Sequence, residues 1–118
     1  RRMVFNIRTL NRDDHLKNHA FLMDRTGTWR LAPAYDLSFS RGPGGEHTLL
    51  VAGEGRRPGR VQIDAVAAKA GIRPKRAGEI VAQVEAAVAG WDRHAREAEV
   101  PVILAQQIAE AMDMARSW

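Results

Sequence analysis

The sequence predicts an α+β domain, mainly helical, with one small β-hairpin near its start and a helical bundle behind it. Three observations carry that expectation. A short apolar stretch at helical spacing opens the chain, and two strand-like runs then flank a Gly-containing turn. Beyond residue 60 the composition shifts to alanine and aliphatics punctuated by Pro and Gly. With 118 residues, 45% hydrophobic and 27% charged, the chain can build one compact core but not two.

Each element follows from local chemistry. Met3, Ile7 and Leu10 recur at helical spacing, so residues 1–10 are expected to be the last turns of a buried helix. Asn11 to Asn18 breaks every periodicity; five of its eight residues are Asn, Asp or His, which favour turns and local backbone hydrogen bonds, and a loop is expected. His19–Asp24 and Thr28–Ala32, separated by Arg25, Thr26 and Gly27, read as a hairpin that Pro33 ends. Residues 37–60 hold six of the ten glycines and two of the five prolines. They are expected to be irregular and mobile, with His47–Val51 the one strand candidate.

The remaining residues, 61–118, predict three helices. Asp64 is the expected N-cap of a short helix through Ala70, with Gly71 as its left-handed stop. Pro74 opens a second helix carrying Ile80, Val84, Ala87 and Trp91 on one face, and Pro101 opens a third with Leu104, Ile108, Ala109 and Met112 inward. Val66–Val84 has the outline of a helix-turn-helix. Its second helix offers only Glu79 and Gln83 as polar reading residues, so an ordinary helix pair is the better expectation.

Composition also narrows the function classes. The chain has no cysteine, which excludes a disulfide framework and thiolate-bound metal. No run approaches the roughly 20 apolar residues of a membrane span, and no cleavable leader pattern is present; the expected setting is cytoplasmic, away from membranes. The net charge is +4 and the pI about 10.3. The positive excess lies in residues 1–60, where 11 Lys/Arg face 6 Asp/Glu; residues 61–118 hold 7 against 8. Two readings fit equally: an anionic partner of the first half, such as nucleic acid, nucleotide or an acidic protein, or an Arg-rich composition with no dedicated binding patch.

The loop carries the chemistry. Phosphoryl transfer needs a carboxylate to orient and accept the proton of the attacking hydroxyl, together with oxygen ligands for magnesium. In protein kinases the base Asp and a metal-binding Asn share one loop as D-x-x-x-x-N, and a second metal-binding Asp follows a short hairpin. Here Asp13 precedes Asn18 by five positions, the hairpin comes next, and Asp36 lies just past its second strand. His15 stands where many kinases place a lysine facing the transferred phosphate, and Lys17 is a second positive candidate. The competing reading gathers Asp13, Asp14, His15, His19 and Asp36 into the metal centre of a hydrolase. Asp14 is otherwise expected to be a solvated loop residue or a support for Lys17, and His47 and His94 to be surface or partly buried histidines.

Asn11-Arg12-Asp13-Asp14-His15-Leu16-Lys17-Asn18, followed by a hairpin and Leu31-Ala32-Pro33-Ala34-Tyr35-Asp36-Leu37, resembles the two signature segments of the HipA family of serine/threonine kinase toxins. The resemblance extends over essentially the whole chain, with residues 9–37 decisive. It implies the C-terminal part of the large lobe of a protein-kinase-like fold. Asp13 would be the catalytic base and Asn18 and Asp36 the magnesium ligands, with ATP and Mg2+ as cofactors. It further implies a protein substrate, a HipB-like antitoxin as partner, and DNA reached only indirectly through that complex. Only twelve residues precede Asp13, and none forms a nucleotide-covering loop, so the chain alone is expected to turn nothing over. The alternative is a non-catalytic module contacting antitoxin or DNA.

Overall fold

A computed structural model describes residues 1–118. The element order is α1 (Arg2–Arg8), β1 (Phe21–Met23), β2 (Trp29–Leu31), α2 (Arg60–Lys69), α3 (Pro74–Val88), α4 (Trp91–Glu97) and α5 (Val102–Arg116). The strands form a two-stranded antiparallel sheet, and the five helices make up most of the regular structure. No helix is long and apolar enough to cross a membrane.

The expected N-terminal helix forms, and its end determines where the loop begins. Leu10 adopts the left-handed conformation (φ 51°), its N–H reaches the Ile7 carbonyl, and the Asn11 N–H reaches the Asn6 carbonyl at 2.9 Å. This pair of bonds is a Schellman ending, with leucine in the place glycine usually takes. The side chains repeat the tie, Asn11 Nδ2 donating to Asn6 Oδ1 at 3.3 Å.

The hairpin also forms, in the register Phe21↔Leu31, Leu22↔Arg30 and Met23↔Trp29. Asp24 builds its turn: one carboxylate oxygen accepts the N–H groups of Thr26 and Thr28, while Gly27 takes φ 82°. The side chains of both strands are exposed, leaving Phe21, Leu22, Met23, Trp29 and Leu31 on the surface.

The helical half departs from expectation in three ways. The first helix begins at Arg60, not after Asp64, because Gln62 already accepts the Gly59 N–H and caps that end. Asp64 therefore sits one turn inside and pairs with Arg60 at 2.8 Å. Gly59 itself is demanded by packing, since a Cβ there would lie 2.4 Å from the Trp118 backbone. Second, α3 stops at Val88, and Trp91 opens a separate helix whose indole N–H donates to the Ala105 carbonyl. The bundle thus has four helices after residue 60. Third, the face that α3 buries is Ala77, Val81 and Val84, with Ile80 partly covered and Ala87 exposed, and on α5 Leu104 points outward. The expected stops at Gly71 (φ 68°) and the Pro74 start are found.

Val4 and Ile7 of α1, Val51, Ile63 of α2, and Val81 and Val84 of α3 form the main core. A second cluster joins Leu10 to Ala111 and Ala115 of α5. Between them lies Arg8, only 3% exposed, which donates to Glu85 Oε1 at 3.0 Å and to the Ala115 carbonyl at 2.9 Å. One guanidinium therefore ties α1 to both α3 and α5.

Residues 37–60 are irregular, as expected, but they are anchored to the loop that follows α1. No strand forms at His47–Val51, because its donors are taken up elsewhere. The Thr48 N–H and hydroxyl both go to the Arg12 carbonyl, and the Leu49 N–H goes to Asp14 Oδ1 at 3.1 Å. Val51 and Glu54 instead close a tight turn on each other. Asp14 is not a solvated residue or a partner of Lys17. Its carboxylate is buried and meets His47 Nδ1 at 3.1 Å, and the His47 side chain is 0% exposed rather than superficial. Burial pushes the Asp14 carboxyl upward, but the hydrogen bonds from His47 and the Leu49 N–H outweigh it and hold the group below the usual carboxylate range. His94, by contrast, lies at the surface.

Two stability predictions follow from these buried charges. Replacing Arg8 with Ala removes two charge-assisted hydrogen bonds and is expected to cost about 2–3 kcal/mol by urea unfolding; a loss within a few tenths would contradict the linchpin role. Asp14→Asn should cost about 1–3 kcal/mol at neutral pH. Because the folded-state carboxyl is depressed, that contribution is present above the unfolded Asp value of about 3.9 and lost as pH falls through the folded value. The gap between variant and wild type should therefore close on acidification, and a gap independent of pH would contradict the assignment.

Candidate functional site

The loop between α1 and β1 is where the charged residues converge. The Schellman turn swings the chain out of α1 at Leu10, and residues Leu16–Asn18 coil into one 3-10 turn before β1 starts. Asn18 is buried and donates from Nδ2 to the Asp13 carbonyl at 3.0 Å. That bond consumes the amide nitrogen and leaves Oδ1 as the atom available to a cation. It also joins the two ends of the D-x-x-x-x-N segment, as the spacing implies.

Asp13 is held through its backbone, while its side chain is 58% exposed. His15 Nε2 lies 3.9 Å from Asp13 Oδ1, beyond hydrogen-bond distance. His15 Nδ1 is enclosed without a partner. Lys17 is exposed, and its carbonyl accepts the Tyr35 hydroxyl at 2.5 Å. Through that contact the chain leaving the hairpin is pinned to the turn that carries Asn18, one residue before Asp36.

Asp36 is exposed and in the left-handed region (φ 54°), a conformation that aspartate tolerates better than most L residues. Past it, the Ser40 N–H returns to the Leu10 carbonyl at 2.9 Å, so residues 36–40 close a loop that begins and ends at the same turn. The structure brings together Asp13, His15 and Asn18 directly, and Lys17 and the Tyr35-Asp36 pair through the tyrosine.

A hydrolase-type metal centre does not assemble. No three His, Asp or Glu side chains gather at metal-binding separation, and Asp14 is turned inward to His47. The donor set that remains at the loop is oxygen from Asn18 and Asp36. Of these donors Asn18 is buried and Asp36 exposed, and hard oxygens of this kind suit magnesium, which completes its shell with water and phosphate oxygens.

Two contributors were not anticipated from sequence. Arg12 donates to the Arg41 carbonyl at 3.1 Å and the Arg56 carbonyl at 2.8 Å, and its guanidinium lies 5.6 Å from the centre of the Trp118 ring. Gly42 packs against it so closely that a Cβ would sit 2.8 Å from Arg12 Cβ. His47 is the other. The only sequence trace of this network is the adjacent pair Asp13-Asp14, of which one side chain had to face away from the site.

Comparison with curated proteins and with solved structures returned no match. A family model described as the HipA-like C-terminal domain matches residues 1–91 of the 118. The match spans α1, the Asp13–Asn18 loop, the hairpin, the Asp36 segment and the helices through α3, and on it the chain belongs to the family of HipA-like C-terminal domains.

Proposed function

We propose that this domain supplies the catalytic loop and metal-binding residues of a HipA-type serine/threonine kinase that transfers phosphate from ATP to a protein hydroxyl. The observation that carries the reading is the Asn18 amide folded back on the Asp13 carbonyl, with Tyr35 clamping the Asp36 segment onto the same turn. Order, spacing and hairpin agree with a kinase loop, and family membership supports it.

Asp13 is the base: its carboxylate is open to solvent and borders a histidine, so it can orient a serine or threonine hydroxyl and take its proton as the phosphoryl group leaves ATP. Asn18 Oδ1 and the Asp36 carboxylate would hold magnesium, which when bound neutralises the phosphate charge. His15 and Lys17 add positive charge or hydrogen-bond donors on the phosphate side. The loop and strand lysine that clamp a nucleotide have no counterpart in these 118 residues, and the exposed apolar hairpin is the surface against which we place that nucleotide-binding lobe. The same reading makes a HipB-like antitoxin the partner, with DNA reached through it, in the cytoplasm.

Manganese is a paramagnetic stand-in for magnesium that can be tested on this chain alone. It should broaden the amide signals around residues 13–18 and 35–37, with Asp36→Ala and Asn18→Ala each weakening the effect. Broadening scattered over the acidic surface, or untouched by both changes, would remove the metal-ligand roles. In a preparation with the nucleotide-binding lobe, Asp13→Asn should lower turnover by about 10²–10⁴-fold. The 118-residue chain by itself should transfer no phosphate, and autophosphorylation abolished by Asp13→Asn would contradict that expectation.

A further inference from the structure

Asp13 is flanked by two residues whose side chains both leave the site for the same destination. Arg12 reaches the Arg41 and Arg56 carbonyls, and its own carbonyl receives the N–H and hydroxyl of Thr48. Asp14 receives the Leu49 N–H on one oxygen and faces His47 Nδ1 with the other. The His47 N–H is in turn held by the Gly55 carbonyl at 2.8 Å. The backbone of Asp13 is therefore gripped on both sides by residues 41–56, and from ahead by Asn18, while its carboxylate is left free. A loop of polar residues has no apolar contacts to hold its shape, so its geometry is set by these bonds.

We infer that Asp14 and His47 are a buried pair of positioning residues that set the presentation of Asp13 to the acceptor hydroxyl, with residues 41–56 as the rigid backing of the catalytic loop. The inference rests on the phosphoryl-transfer reading for its catalytic consequence, but its structural part can be measured without turnover. Neither residue touches substrate. Each acts through the peptide units on either side of Asp13. The pair is suited to this because it is closed to water: the His47 side chain is fully buried and the Asp14 side chain is 6% exposed, so no solvent molecule competes for the bond. His47 Nε2 is likewise enclosed without a partner, which favours the tautomer that carries its proton on Nδ1 and donates it to Asp14. Arg12 performs the complementary task from the other side, and Gly42 leaves the room its side chain needs.

The test uses Asp14→Ala, His47→Leu and His47→Asn, the last of which keeps an N–H donor near the place of Nδ1. In the 118-residue chain, Asp14→Ala and His47→Leu should shift and broaden the amide signals of residues 12–14 and 47–49, leaving those of α3 in place, and His47→Asn should restore much of the native pattern. In a preparation with the nucleotide-binding lobe, the two disruptive variants should lower kcat by about 10- to 100-fold, the scale expected of a misplacement near 1 Å. KM for ATP should stay within about twofold, and His47→Asn should recover most of the loss. Native kcat in a folded Asp14→Ala or His47→Leu variant would overturn the proposal. So would equal losses in His47→Asn and His47→Leu accompanied by general unfolding, since that pattern belongs to a residue of purely structural importance. If Asp13→Asn leaves turnover intact, the phosphoryl-transfer reading fails instead, and the amide signals still report whether the pair orders the loop.

Discussion

The structure depends on one backbone turn. Helix α1 has to end after two turns and release the chain toward the surface while its last residues stay in the core. A left-handed residue achieves this, and the residue there is Leu10. The conformation costs an L residue roughly 1–2 kcal/mol, whereas burying a leucine side chain contributes about 1.5–3 kcal/mol. Leu10 is buried against Ala111 and Ala115, so packing outweighs the backbone strain. The same turn sets the Leu10 carbonyl facing the Ser40 N–H, and thereby determines where the chain comes back after Asp36.

Two kinds of order meet at that turn. Behind it, α1, α2 and α3 pack through Val4, Ile7, Ile63, Val81 and Val84, an ordinary apolar core. Ahead of it, residues 11–18 contribute almost no apolar side chain that is buried, and the single large one, Leu16, is exposed. What holds this part is a polar network: Asn6 with Asn11, Asn18 with the Asp13 carbonyl, Asp14 with His47 and Leu49, and Arg12 with two carbonyls. Such a network is specific because each member has few acceptable partners, and vulnerable because a lost partner leaves a buried group unpaired. The Asp13 side chain stays exposed, so the segment is not stabilised by being covered. It is stabilised from beneath and from both sides.

The elements whose signals are local were legible in the sequence. The helical spacing of α1, the Thr-Gly turn of the hairpin, Gly71 as a stop and Pro74 as a start all act within a few residues and appear where their chemistry places them. The order Asp13, Asn18, hairpin, Asp36 was legible for the same reason. What could not be read were effects between distant segments. His47 and Asp14 are 33 residues apart, and each in isolation has the composition of a surface loop. The helix starts at Arg60 rather than after Asp64 because its cap is a glycine required by the close approach of Trp118, 59 residues further on, and no local signal announces that contact. The spacing of Trp91 continues the stripe of α3, but the break at Ala89-Gly90 turns it instead toward α5.

The family match ends at Trp91, yet residues after it are wired into the part that matches. Arg8 would be a buried cation with one partner if α5 did not present the Ala115 carbonyl, and Leu10 would lose the alanine surface that makes its left-handed turn affordable. Trp118 covers the guanidinium of Arg12 and abuts the cap of α2. Apart from the contact at the α2 cap, these contacts converge on residues 8–12, immediately before Asp13. Helix α5 therefore acts as a brace: it makes no contact with the candidate catalytic side chains in the hydrogen-bond network, but it holds the strained turn from which their loop departs. A brace of this kind needs small residues facing the turn and a flat side chain over the arginine, requirements of shape that many sequences satisfy.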